Sequence, residues 1–243
     1  MSNSVPSSVA VTPGNRLQAR PTSRDLVAQQ LREAILKEDL AEGQKLGVPE
    51  IAEFHGVSHT PAREALQLLA GEGFVRINAY RGAYVAELSA DDYQEIMLMR
   101  IPLEGLAAEL GAERITDDGI RAMRHWLEEL TAAAQSNDLE QFIEVDREFH
   151  AAHYLASGRE SLWERIIGLR FTAERYTRRG YQLKGIMMGD TAKRHANLFS
   201  AVEAHDAARA RDVLTGDLER TFETLYADLR QRESNRPEGE RPG

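Results

Sequence analysis

Gly56-Val57-Ser58-His59-Thr60-Pro61-Ala62-Arg63-Glu64-Ala65-Leu66-Gln67-Leu68-Leu69-Ala70-Gly71 is the stretch that decides how this 243-residue chain is read. Gly56 to Pro61 is a turn opening a helix; either Ser58 or Thr60 can cap it, and Pro61 is tolerated in its first turn. Ala62, Ala65, Leu66, Leu69 and Ala70 recur at helical spacing and form an inward face. Arg63 and Gln67, four residues apart, share the opposite face. Gly71 and Gly73 end the helix. Upstream, Leu26, Val27, Leu31, Ala34 and Ile35 predict a helix over Arg24–Lys37, and a short second helix runs from about Pro49 to Phe54. Downstream, Phe74–Ile77 and Ala83–Ala86 read as two strands joined by the loop Asn78–Gly82. Two helices, a glycine turn, a third helix and a hairpin make a winged helix-turn-helix, assigned to residues 21–88.

That shape suits one chemistry. A helix fits the major groove of DNA, its first residues reach base edges, and a hairpin can touch the neighbouring groove or backbone. Arg63 can bind guanine or phosphate with two parallel hydrogen bonds. Ser58, His59 and Thr60 can donate to phosphates at the helix start, Gln67 lies on the same face as Arg63, and Arg81-Gly82 puts a long cation beside a residue that permits close approach. An isolated arginine is ordinarily a solvated surface charge; the ordered pattern around Arg63 and Arg81 favours the DNA reading.

Residues 89–230 show no further strand signal. Ser89 with Asp92 caps a helix to about Arg114, and others follow near 117–135, 138–156, 161–178, 190–204 and 206–230. Six such helices predict an antiparallel bundle, so the fold class is mainly α with a small winged part. Residues 1–20, rich in Ser and Pro, and 231–243, charged with Pro and Gly, read as disordered tails. Asp146 and His150, four apart, project from one helix face; a carboxylate and an imidazole so placed can hold a divalent metal, or be an ordinary exposed or hydrogen-bonded helix pair.

Composition sets limits. Hydrophobic residues at 42% and charged residues at 28% are ordinary for a globular protein. No run of about 18 apolar residues predicts a membrane span, and Met1–Arg20 lacks the apolar core of a signal peptide, so a cytoplasmic location is expected. Cysteine is absent, which removes thiol catalysis and cysteine-ligated zinc. The net charge of −9 is uneven: residues 1–88 carry 9 basic and 10 acidic side chains, the remainder 21 and 29. The part assigned to DNA is close to neutral, so phosphate attraction is weak and affinity must come from local geometry and two copies acting together.

The stretches Leu31–Leu36, Gly43–Leu46, Gly56–Leu66, Leu69–Val75 and Arg81–Val85, in that order, resemble the DNA-binding domain of the GntR family. The resemblance implies base contacts from Arg63 and backbone or groove contacts at Ser58, His59, Thr60, Arg81 and Gly82; members usually carry Arg where this chain has His59. The helical part, through Arg100–Ala108, Asp146–His150, His195 and Ala201–Asp206, is similar to the FadR-like branch and its FCD effector domain. That likeness implies a homodimer bound to an operator in double-stranded DNA, an effector-responsive repressor, and a metal, zinc or nickel, on Asp146, His150 and His195. The open positions of such a metal, with Arg100 or Arg170 as countercharge, point to a small organic acid as the releasing effector. Where such domains complete the site with a second histidine, this chain has Asp217, which either ligates or marks a domain that has abandoned the metal. Arg100 and Arg170 are candidates for an effector carboxylate, each also readable as a structural ion-pair partner, and His153 is a pocket or core residue. Two other functions compete. An architectural dimer would bind DNA without an effector. A metal-dependent bundle enzyme would need Glu-x-x-His pairs, a phosphate loop or a nucleophile elbow, and the sequence has none, so an enzyme is not expected.

Overall fold

The computed structural model describes residues 21–183 and 186–235; the expected tail over 1–20 lies outside them, as does the tail from 236 onward. The first described helix is α1 (Ser23–Leu36), where Thr22 and Asp25 cap each other's backbone N–H in a reciprocal box. β1 (Lys45–Leu46), α2 (Val48–His55), α3 (His59–Gly71), β2 (Val75–Asn78) and β3 (Gly82–Val85) complete the first part. The sheet is antiparallel with β3 central, Leu46 opposite Ala83 on one side and Val75 opposite Val85 on the other. β1 was not expected, because two residues carry no period to read. The hairpin strands sit one residue away from their expected places. Phe74 is drawn whole into the core, and the loop tightens to Ala79-Tyr80-Arg81, closed where the Asn78 side chain accepts from the N–H groups of Tyr80 and Arg81 and Gly82 takes a φ of +92°.

Val27, Leu31, Ala65, Leu66, Leu69, Phe74 and Val85 form the core beneath this part, each burial contributing on the order of 1–3 kcal/mol for the larger side chains. Six helices follow among the described residues: α4 (Ala90–Arg114), α5 (Asp117–Ser136), α6 (Leu139–Leu155), α7 (Glu160–Tyr181), α8 (Met188–Glu203) and α9 (Ala207–Ser234). Ser89 caps α4 by accepting from the Asp92 N–H. α4 is the axial helix, lying along α9 and touching α6, α7 and α8, while α5 packs on α6 and α8. α9 runs to Ser234, past residue 230 where the sequence places the start of a disordered tail. Its last turn is used: Glu233 accepts from the Ala90 N–H at 2.8 Å, and Arg230 pairs with Asp91.

The two parts meet along α7. Phe171 packs on the winged core, and Arg175 Nη2 donates to the Ala86 carbonyl at 2.6 Å. The connector is held from both sides, since the Leu88 N–H donates to Glu42 at 3.2 Å.

α4 and α6 approach closely at Gly111, where a Cβ would stand 2.5 Å from the His153 carbonyl oxygen. That oxygen belongs to helix backbone and cannot move aside. Gly111→Ala is therefore expected to destabilise the helical part by about 1–3 kcal/mol, read from chemical denaturation, although alanine is the better helix former.

A buried Asp-His-His cluster and an exposed reading helix

α3 presents the expected face. Ser58 sits at its N-cap with no side-chain capping bond, and Ser58, His59, Thr60, Arg63 and Gln67 are all exposed while Ala62, Ala65, Leu66 and Leu69 are buried. Arg81 and Gly82 are exposed at the hairpin, which the Tyr84 hydroxyl braces by donating to the Arg81 carbonyl at 2.6 Å. Two aromatic side chains escaped sequence reasoning: Tyr80 is 99% exposed at the hairpin tip and Phe54 is 86% exposed on α2. Tyr80 was detectable in principle, as a large ring in a three-residue loop has no core to enter. β1 adds Lys45 to the same exposed surface.

The helical part brings Asp146 and His150 of α6 together with His195 of α8. His150 Nε2 and His195 Nε2 face each other at 3.0 Å, with Asp146 Oδ1 2.8 Å from the second and 3.7 Å from the first. Donors about 2.0–2.1 Å from a tetrahedral zinc stand about 3.3 Å apart, so this triangle has the right size for one cation. Electronics agree. His195 Nδ1 bonds the Thr191 carbonyl at 2.9 Å and so carries the proton there, which leaves the Nε2 lone pair aimed at a carboxylate and at another imidazole. Such a convergence is relieved only by a proton or a metal. Burial by itself would lower the His195 pKa, but the Asp146 hydrogen bond and charge outweigh it and the net shift is upward. His150 is driven well down, by burial and then by the Arg170 charge. Burial opposes ionisation of Asp146, yet Arg170 and the two imidazoles hold its carboxyl far below the usual range.

Asp217 does not join this cluster. Arg194, the residue before His195, ion-pairs with it and holds the carboxylate. The expected effector residues also have partners within the chain. Glu104, wholly buried on α4, accepts from Arg100 Nε at 2.6 Å, Arg170 Nη1 at 2.8 Å and the Tyr154 hydroxyl at 3.0 Å. Arg170 reaches on with Nη2 to Asp146 Oδ2 at 2.5 Å, fixing the carboxylate so that Oδ1 faces the histidines. His153 is fully buried away from the triangle, where its Nε2 bonds the Ala108 carbonyl at 2.9 Å. Beside Asp146 lies a cavity of about 40 Å³ whose walls include Arg100, Arg147, Arg170, Phe171 and Tyr181.

Comparison with known proteins places these two parts. Residues 24–85 match the bacterial regulatory proteins of the gntR family, and residues 95–220 match the FCD domain. The chain is 31% identical to the probable D-xylose utilization operon transcriptional repressor of Paenarthrobacter nicotinovorans, over 79% of this chain and 86% of that one. It is 26% identical to the HTH-type transcriptional repressor RspR of Escherichia coli, over 84% and 89%. Among solved structures, McbR/YncC of E. coli superposes with a TM-score of 0.70 at 26% identity, covering 85% of this chain and 98% of that one. A GntR transcriptional regulator of Rhodococcus sp. RHA1 shares the fold, with a TM-score of 0.68 at 21% identity, covering 84% and 97%.

Burial lowers the His153 pKa to about 4, against about 6.5 in an unfolded chain. Its neutral form therefore favours folding above about pH 6.5, and that contribution is lost as pH falls toward 4, by up to about 3 kcal/mol. His153→Gln, whose amide can still donate to the Ala108 carbonyl, is expected to flatten the acid side of the stability–pH curve measured by chemical denaturation.

Proposed function

The chain belongs to the GntR family of transcription regulators, with an FCD domain as its helical part, and from that premise we propose that it is a repressor whose operator binding is released by a small organic acid. One observation carries this reading: an Asp-His-His cluster sits against an arginine-walled cavity in the same chain as an exposed recognition-helix face. Asp146, His150 and His195 would hold one divalent cation, zinc or nickel, at their facing donor atoms. Bound there, the cation supplies open positions that a carboxylate can fill. Arg147, whose side chain is 40% exposed, and the Arg100 and Arg170 pair supply the countercharge. Asp146 and Glu174 line the cavity with those three arginines, and Glu104, buried behind them, neutralises the third charge, so a metal would leave the cavity positive and select an anion.

DNA recognition is assigned to Arg63, Gln67, Ser58, His59 and Thr60 on α3 and to Arg81 and Gly82 on the hairpin. A single near-neutral reading domain has little non-specific attraction for phosphate, which favours two copies on an imperfect palindrome. The surface for a second copy is the outer stripe of α4, where Leu98, Met99 and Leu106 are 62, 46 and 44% exposed around Pro102.

An operator selected from random duplexes allows three variants to be compared. Arg63→Ala is expected to lose about 1–3 kcal/mol per half-site and to relax discrimination against a scrambled duplex, while Arg81→Ala weakens both duplexes alike. Leu106→Glu should sediment as a monomer and bind a full operator no better than a half-site. Discrimination intact in Arg63→Ala would move the reading role elsewhere, and a dimeric Leu106→Glu would move the interface.

Metal binding is tested on untagged protein beside a His150→Ala/His195→Ala variant. One equivalent of metal is expected in the first and none in the second. Imidazoles must be neutral to ligate, and the Asp146 carboxylate that raises the His195 pKa adds to proton competition, so occupancy should decline as pH is lowered through the ordinary histidine range of about 6 to 7. Equal metal content in the two proteins would end the assignment.

A further inference from the structure

We propose that Phe171 is the residue through which occupancy of the helical cavity is conveyed to the recognition helix. The inference rests on the reading of that cavity as the effector site, and it identifies the side chain that couples the site to DNA. Among the described residues, Phe171 is the one wall of the cavity that also packs against the core of the winged domain. It follows Arg170, which grips Asp146 and Glu104, so one turn of α7 touches the Asp-His-His cluster and the reading domain at once.

The contacts beyond Phe171 lead to one place. The Arg32 guanidinium lies over the Phe171 ring, 4.9 Å from its centroid, and Phe74 approaches the same ring with centroids 6.1 Å apart. Arg32 is bound in turn by both carboxylate oxygens of Glu72, at 2.7 to 3.0 Å. Glu72 is the C-cap residue of α3. A planar cation thus joins the cavity wall to the end of the helix that carries Arg63, and the arginine and glutamate are both largely shielded, which keeps the pair stiff. Gly73, directly after that cap, would with a Cβ meet Thr172 of α7 at 3.3 Å, so the following backbone is also in register with α7.

Size makes the wall responsive. A cavity of about 40 Å³ holds a few water molecules, so an acid of four carbons can enter only by displacing a side chain. Arg100 and Arg170 are locked by the buried Glu104, and Phe142 of α6 is fully buried. Phe171 is part-exposed at the seam between the two parts, where an outward shift of the ring pushes Arg32 and, through Glu72, the C-terminal end of α3.

The test is hydrogen exchange on the full chain, with and without zinc chloride plus butanoate, in the wild type, Phe171→Leu and Arg32→Lys. Leucine keeps apolar bulk without the aromatic face, and lysine keeps charge without the planar fork. In the wild type, exchange should change in peptides covering 142–153 and 188–199 and, by about fivefold or more, in the peptide covering 59–73. Arg32→Lys, which lies outside the cavity, should retain the first two changes and lose the third, and Phe171→Leu should lose the third as well. A response at 59–73 that survives in both variants overturns the role of Phe171, as does a wild type that responds in the helical part alone. A wild type that responds nowhere instead removes the effector-site reading, and the proposal with it. Unaltered exchange of each variant without additive confirms that its fold is intact.

Discussion

The Glu104 carboxylate has no contact with water. A charge in that position is tolerated only where partners replace its hydration, and losing one such partner typically costs about 3–5 kcal/mol. Here the partners come from three helices: Arg100 one turn ahead on α4, Tyr154 on α6 and Arg170 on α7. Burial pushes the Glu104 pKa up and the two arginines more than reverse it, so the group stays ionised. The same carboxylate also sets the direction of Arg170, whose other nitrogen then orients Asp146 toward the histidines. The helix arrangement, the donor triangle and the cavity wall all depend on this one buried anion. Replacing it by an amide would leave Arg100 and Arg170 without the carboxylate they share.

Much of this was legible beforehand, for identifiable reasons. α3 was readable because Ala62, Ala65, Leu66 and Leu69 fall on one stripe and glycines mark both ends. The six long helices were readable from sustained 3.6-residue periodicity, with ends misplaced by only a few residues. Asp146 and His150 were readable from their four-residue spacing, which puts both on one face whatever the tertiary fold. His195 needed the family likeness, since its approach from α8 has no local signature.

What failed was the competition among partners. Arg100 and Glu104 also stand four apart, so their pairing was visible in principle, yet nothing in the sequence announces that Arg170 converges on the same carboxylate from 66 residues away. The family likeness offers Asp217 as a fourth ligand; Arg194, adjacent to His195, claims it first. His153 lies three residues from His150, and that offset turns it toward Ala108 and Gly111, where it serves as a tightly packed core residue. Pairing choices of this kind depend on distances between helices, which periodicity does not encode.

The last turn of α9 has a consequence for the order in which the molecule is made. Glu233 and Arg230 hold the connector at Ala90 and Asp91, and Arg232 lies 3.7 Å from Glu42 in the winged part. Domains generally fold in turn as the chain is synthesised, N-terminal part first. The reading head can thus be complete, with its own core closed, while these three side chains are still inside the ribosome. Its orientation on the bundle becomes fully fixed only when the last turn of α9 has emerged. A nascent regulator is in this sense a competent reader with an unfinished mount, and translation itself separates the capacity to recognise a half-site from the capacity to present it at a set angle.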